Sequence, residues 1–367
     1  MKRGVKRIGR AFGFSEVNDS LAQIKDELKG NRKAIEDVTE LADRAKKLEA
    51  KIDRLEKINE LYFDVLFKDD SETNLEARKR FFKKIPETNG DLRLIQLGSI
   101  KLLEELDKIC KKKSINYWLT DGTLLGAIRS NKIIPWDDDV DVDMLRDDLH
   151  KLQKAVKGTG FKVNVVYDPY VVCKQVRFMS KDEANPCFVD IFIYDYGTNG
   201  RKEDWESWKQ LRKTIVDSVH DSKEPEMQDW LKHGVINSTS KTKTAQYVEV
   251  FYETNFGDIK GDVKGGGPLG IVQKAPKNKK YYIVNGLDNM TPVCRPESPR
   301  VYEVEDIFPL KTISFEGRDY PCQNHPEKYL EDIYGDYYEI PNDLVSHFRH
   351  TTIDDISRKA IQDFINK

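Results

Sequence analysis

The chain has 367 residues, with 61 basic against 63 acidic side chains and a formal net charge of −2, long enough for one large domain or two ordinary ones around a sizeable core. Charged residues at 34% beside hydrophobic ones at 38%, and no apolar run of about 18 residues, argue against a membrane-spanning helix. The net charge hides opposing patches and says little about nucleic acid, but no basic stripe with aromatic interleaving appears, which argues against a nucleic-acid partner.

Residues 1–20 read as a basic tail. Lys2, Arg3, Lys6, Arg7 and Arg10 interrupt Val5, Ile8, Phe12 and Phe14, so no signal-peptide core forms and a cytoplasmic location is expected. Within it, residues 1–14 suit peripheral contact with the inner face of the cytoplasmic membrane, at about 1 kcal/mol per basic residue near anionic lipid. A plain basic tail accounts for the same residues.

Over 21–67 the apolar positions Leu21, Ile24, Leu28, Ile35, Val38, Leu41, Ala45, Leu48, Ile52 and Leu55 stand among charges and predict one long helix with a heptad-like seam. The step from Val38 to Leu41 is three where four is due, which reads as a stammer. Such a helix serves as an oligomerising stalk through 21–62 or as a single amphipathic helix packed on its own domain. Residues 68–90, with Pro86, read as a connection holding one short helix near 77–82.

A domain is expected over 91–345. Leu92, Ile95, Ser99, Leu102, Leu103, Leu106 and Cys110 line one helix face ahead of the basic Lys111, Lys112 and Lys113, favourable at a helix C-terminus. Strand formers follow at 115–119, then Thr120-Asp121-Gly122-Thr123, a short helix over 124–129, and an acidic run. Further strands are expected at 161–167, 171–179, 188–194 and 301–315, and a helix at 326–334. This order predicts an α+β domain with a mixed sheet. The stretch 201–280 reads as an insertion in which Trp205, Trp208 and Trp230 mark packed helices. Its Gly265-Gly266-Gly267-Pro268 reads as a loop, since no phosphate-binding glycine pattern surrounds it. Residues 346–367 read as a C-terminal helical segment. The five cysteines, Cys110, Cys173, Cys187, Cys294 and Cys322, include no C-x-x-C pair and suit buried thiols in a reducing compartment. Zinc through Cys173 and Cys187 would lack two further ligands.

The acidic run carries the chemistry. Asp137, Asp138, Asp139, Asp141 and Asp143 alternate late in the run with Val140 and Val142. On a strand, Asp139 and Asp141 would share one face while the valines face the core. Adjacent carboxylates repel unless a cation bridges them, and an all-oxygen set suits Mg²⁺ or Mn²⁺. Asp190, a lone acid in Phe188-Val189-Asp190-Ile191-Phe192, is the expected third carboxylate, with Asp195 as the fallback. Gly122 and Thr123 open a helix whose N–H groups can meet phosphate, and the planar fork of Arg129 suits phosphate oxygens. Metal ligands and phosphate donors this close together point to phosphoryl transfer.

Trp118-Leu119-Thr120-Asp121-Gly122-Thr123-Leu124-Leu125-Gly126-Ala127-Ile128-Arg129, followed by Ile134-Pro135-Trp136-Asp137-Asp138-Asp139-Val140-Asp141, resembles the signature of the LicD family. Phe188 to Phe192 and the closing Tyr334-Gly335-Asp336-Tyr337 with Pro341 are similar to its later motifs. The resemblance covers about 92–341 and implies a nucleotidyltransferase-like fold with flanking helices. It further implies transfer of phosphocholine or a polyol phosphate from a CDP-activated donor to a sugar hydroxyl, with release of CMP. The acceptor would be a glycan or lipid-linked glycan of the cell surface, such as capsule or teichoic acid. Carried over residue by residue, Asp139, Asp141 and Asp190 match the metal-binding carboxylates, and Gly122, Thr123 and Arg129 the phosphate-binding segment, which Asp121 joins. Ser130, Asp121 and Asp143 depart from the family pattern. Asp190 is the expected acceptor of the hydroxyl proton, Asp137 and Asp138 rank below the other acids, and Trp118 and Trp136 read as packing beside the site. Two rivals remain at this level: a sugar-nucleotide glycosyltransferase with an Asp-x-Asp metal site, and a non-catalytic coiled-coil scaffold.

Overall fold

The computed structural model describes residues 14–256, 271–272, 274–277, 280–286, 299–340 and 353–367. The tail before residue 14, the Gly265-to-Pro268 loop, Cys294 and Pro341 lie outside the described residues. The chain divides after Ala77 into two units.

In the first unit, helix α1 (Phe14–Leu66) runs for 53 residues, about 80 Å at about 1.5 Å per residue. It starts ahead of residue 21 and passes through Gly30 without a break. Helix α2 (Asn74–Lys84) follows. Its start is set by a reciprocal cap, in which Glu76 N–H donates to the Thr73 hydroxyl and the Thr73 N–H donates to the Glu76 carboxylate.

Phe82, near the end of α2, is buried in the second unit. The frame of that unit is built by α3 (Gly90–Lys113), β1 (Trp118–Leu119), α4 (Asp121–Ser130), β2 (Asp141–Leu145), α5 (Arg146–Ala155), β3 (Phe161–Asp168), β4 (Cys173–Ser180) and β5 (Phe188–Gly197). Leu102, Leu103, Leu106 and Cys110 of α3 are buried in the core with the sheet, and Ile95 of the same helix is also buried. Gly98 permits the close approach, since a Cβ there would lie 2.5 Å from Cys187 Sγ. The sheet runs in the order β1-β2-β5-β4-β3. Only β2 and β5 are parallel within it. They are buried on both faces, which is why 188–197 reads as a nearly unbroken apolar run. The mixed α+β architecture expected from the sequence is the one observed.

The 201–280 stretch does contain packed helices: α6 (Arg201–Asp221), α7 (Pro225–His233) and α8 (Lys243–Phe256), with β6 (Ile236–Asn237) joining the β3 edge. Trp205, Trp208, Trp230 and Tyr252 form a second core there, with the Trp205 and Trp208 rings stacked at 5.2 Å. Strands β7 (Ile271–Val272), β8 (Tyr282–Asn285) and β9 (Val301–Glu303) extend the sheet beside the second half of β5.

Two sequence expectations change. The strand expected at 115–119 shrinks to Trp118–Leu119, because residues 115–117 form the irregular link that follows the left-handed cap of α3 at Ser114. The strand expected at 301–315 breaks into β9, a single helical turn α9 (Val304–Ile307) and β10 (Lys311–Phe315). Pro309 separates the last two and cannot donate to a ladder. β10 pairs with β11 (Arg318–Cys322) as a separate hairpin. Helices α10 (Pro326–Tyr334) and α11 (Asp355–Ile365) close the unit, α11 tied to α3 through Arg358 and Asp91. Cys110, Cys173, Cys187 and Cys322 are free and buried.

Candidate active site

Pairing of β2 with β5 sets the site. Asp141 lies beside Asp190 in the parallel register, and the Asp190 N–H donates to Val140 O at 2.9 Å. Val140 and Val142 are fully buried, so their alternation turns the acids to the opposite face. Asp139 departs from the expected pattern, for it precedes the strand, which begins only at Asp141. Its carboxylate nevertheless meets the others. Carboxylate oxygens of Asp139, Asp141 and Asp190 all lie within 4.8 Å of one another, and a second group joins Asp137, Asp138 and Asp139 on the same criterion.

Burial, followed by the charge of neighbouring acids, pushes the Asp139 and Asp141 carboxyls well above the usual carboxylate range. For Asp139 the neighbours are Asp137, Asp190 and Asp138 in that order. An all-oxygen cluster that cannot ionise comfortably by itself fits a hard divalent cation, whose charge would offset the repulsion.

The preceding segment holds this cluster in shape. Thr123 accepts the Asp141 N–H on its hydroxyl at 2.8 Å, so its side chain anchors the strand. Gly122 lies against the acids, and a Cβ there would fall 2.6 Å from Asp137 Oδ2. Asp121 opens α4 at φ +39° and pairs with the buried Arg300 at 3.3 Å. Burial opposes the charge on Arg300, but Asp121 and the surrounding tyrosines raise its pKa above the ordinary arginine value.

Arg129 stands elsewhere. Its Nε donates to Tyr337 O at 2.6 Å and a terminal nitrogen donates to Glu339 O at 3.1 Å, while the guanidinium covers the Phe82 ring at 4.0 Å. Burial lowers its pKa to about 10. Asp195, the fallback acid, is held by both prongs of Arg146 at 2.7 and 2.6 Å. Asp143 accepts Trp118 Nε1 at 2.9 Å and the Tyr329 hydroxyl at 3.2 Å. Trp118 is fully buried, as core packing requires, and Trp136 is half-buried.

Three residues that sequence reasoning passed over shape the cluster. Gln96 of α3, fully buried, donates to Asp137 O at 2.8 Å and Ile134 O at 3.2 Å, pinning the acidic loop. Arg177 of β4 pairs across the sheet with Asp190, Nε to Oδ1 at 3.1 Å, stacks on Phe188 at 3.8 Å and reaches Gln175 at 2.8 Å. Arg300 holds Asp121. A buried glutamine on an apolar helix face was the one visible signal; Arg177 meets Asp190 through the register of β4 with β5, and Arg300 lies far in sequence from Asp121.

A mixed sheet with one acid opening a strand, a second just ahead of it, a third on the parallel neighbour and a Gly-Thr helix start beside them is the arrangement expected of a nucleotidyltransferase-like fold. Residues 114–223 match the family model described as LicD/FKTN/FKRP, nucleotidyltransferase domain. It is 26% identical over 273 residues to the lipopolysaccharide cholinephosphotransferase LicD of Haemophilus influenzae, covering 68% of this chain and 92% of that protein. An uncharacterized protein of Rickettsia prowazekii is 35% identical over 107 residues, 27% of this chain and 40% of that one. The human ribitol 5-phosphate transferase FKRP is 32% identical over 112 residues, 28% of this chain and 21% of that one.

Proposed function

We propose that the chain transfers a substituted phosphate, phosphocholine or a polyol phosphate, from a CDP-activated donor to a sugar hydroxyl of a cell-surface polysaccharide or its lipid-linked precursor, releasing CMP. The observation that carries this reading is the convergence of Asp139, Asp141 and Asp190 within 4.8 Å across two parallel strands. The relatives support it, since their names describe transfer of phosphocholine and of ribitol 5-phosphate.

Asp139, Asp141 and Asp190 would hold Mg²⁺ or Mn²⁺. Such an ion supplies charge neutralisation at a diphosphate and Lewis acidity at the transferred phosphorus. The chain's own residues do the rest. Thr123 fixes Asp141, and Gly122 keeps the acid side of α4 free of a side chain, so the first N–H groups of that helix can face donor oxygens. Arg300, held by Asp121 at the start of α4, takes the phosphate-facing part expected of Arg129. Arg177 donates to Asp190 and fixes its orientation, so that the acid's part is that of a ligand held in place.

Among the described residues no helix is long and apolar enough to cross a membrane, and the reading places the reaction on the cytoplasmic side, where nucleotide-activated donors are made. The test incubates the protein with Mg²⁺ and a panel of CDP-linked donors and candidate glycans, following CMP. Release of a nucleoside diphosphate in its place would favour glycosyl transfer. Asp141→Asn should lower turnover at least about a thousandfold, matching the several kcal/mol that a metal centre contributes, with the circular dichroism of the wild type. Undiminished turnover would remove the site assignment.

A further inference from the structure

Helix α1 exposes a seam that its own unit leaves uncovered. From Val38 onward the three-then-four spacing is unbroken through Leu41, Ala45, Leu48, Ile52, Leu55, Asn59, Tyr62 and Leu66. All nine side chains are exposed, Val38 at 64% and Leu66 at 79% among them. A solvated helix of this length gains little from propensity alone, so an apolar stripe along it calls for a partner surface of the same length and period.

The residues on the seam identify that surface. In heptad terms the a positions are Val38, Ala45, Ile52, Asn59 and Leu66, and the d positions are Leu41, Leu48, Leu55 and Tyr62. β-Branched residues at a with leucine at d pack well in two parallel strands, and a lone asparagine at a selects register and strand number, because it pairs with its own counterpart. Charge on the flanks selects orientation. Arg44 and Lys51 occupy g, Glu49 and Glu56 occupy e, and in a parallel pair each g residue faces the e residue five positions on in the partner. Arg44 then meets Glu49 and Lys51 meets Glu56, whereas an antiparallel pair would set cation against cation and acid against acid. The next g and e residues, Ile58 and Phe63, are apolar and add to the seam.

We propose that residues 38–66 of α1 pair with a second copy of this chain as a parallel, in-register, two-stranded coiled coil. The proposal does not depend on the catalytic reading. Sedimentation equilibrium of the full chain should give a dimer; a monomer, trimer or larger species overturns it. Leu48→Cys and Leu55→Cys, tested separately under mild oxidation, should each yield a covalent dimer, because identical d positions face each other only in the parallel register. Ala50→Cys, on the outward face, should cross-link no more than the wild type. Failure of either seam variant to exceed Ala50→Cys overturns the parallel arrangement. Lys51→Glu should weaken the dimer about tenfold, and Lys51→Glu/Glu56→Lys should restore it. Absence of rescue overturns the proposed facing of g and e.

Discussion

Gly122 illustrates how one missing methyl group can shape a site. The atom that a Cβ would strike, Asp137 Oδ2 at 2.6 Å, is the end of a side chain, so Gly122→Ala displaces a carboxylate while sparing the backbone. We expect Gly122→Ala to fold with a melting temperature near that of the wild type, yet to lose about ten- to a hundredfold in metal affinity, as with other disturbances of groups that orient ligands. Arg177 acts on the same cluster from the other side. Its planar fork, fixed by Phe188 and Gln175, leaves Asp190 one settled orientation. Arg177→Met should weaken Mn²⁺ binding by a comparable ten- to a hundredfold, and Arg177→Lys should recover only part of it, since an ammonium keeps the charge without the fork. Calorimetric titration of Mn²⁺ into each variant checks both; affinities equal to the wild type would reduce the Arg177–Asp190 pair to a fold contact.

At the scale of elements, the question is which helix end each arginine serves. Arg129 sits in the last turn of α4, opposite the Asp121 end that faces the acids, so a fork that looks suited to phosphate on the sequence is turned toward the segment after α10. With Arg78 bound to Asp336 at 2.9 Å and the Tyr338 hydroxyl on Ile128 O at 3.3 Å, it clasps α2, α4 and the closing motif together. The Tyr334-to-Tyr337 motif therefore reads as a structural latch around Arg129. Arg129→Met should cost about 3 kcal/mol of stability in denaturant unfolding, from two charged hydrogen bonds to the Tyr337 and Glu339 carbonyls and an aromatic contact. Metal affinity should stay unchanged, and a fall in metal affinity without loss of stability would return Arg129 to the site. Local pattern could reveal the acids, because alternation with valine and the unbroken β5 run are nearest-neighbour signals. The Arg129 clasp joins residues about two hundred positions apart, and the 301–315 break falls at the helical turn α9 and at Pro309; neither leaves a periodic trace.

For the whole molecule, the sequence disclosed the acidic run, the apolar β5 segment and, through its tryptophans, the packed helices of the insertion, whereas the parallel pairing of β2 with β5 emerged only in the fold. Gln96, Arg177 and Arg300 stayed hidden because each is brought to the acids by the tertiary path of a different element. That path also concentrates buried negative charge, with a consequence for stability. Asp139 and Asp141 have folded pKa values raised above the ordinary 3.8, so without metal the folded chain holds protons that the unfolded chain releases. Their contribution therefore favours folding at low pH and is lost as pH rises from about 3.8 through the raised values. A cation requires the ionised carboxylates, so its binding expels those protons and strengthens with pH. Saturating Mg²⁺ should accordingly raise the melting temperature more at about pH 8 than at about pH 5, by the equivalent of about 2.7 kcal/mol where Mg²⁺ stands a hundredfold above its dissociation constant. Chelation should reverse the gain, and Asp141→Asn should abolish its pH dependence. A gain that is equal at both pH values, or that survives in Asp141→Asn, would place the ion somewhere other than between these two strands.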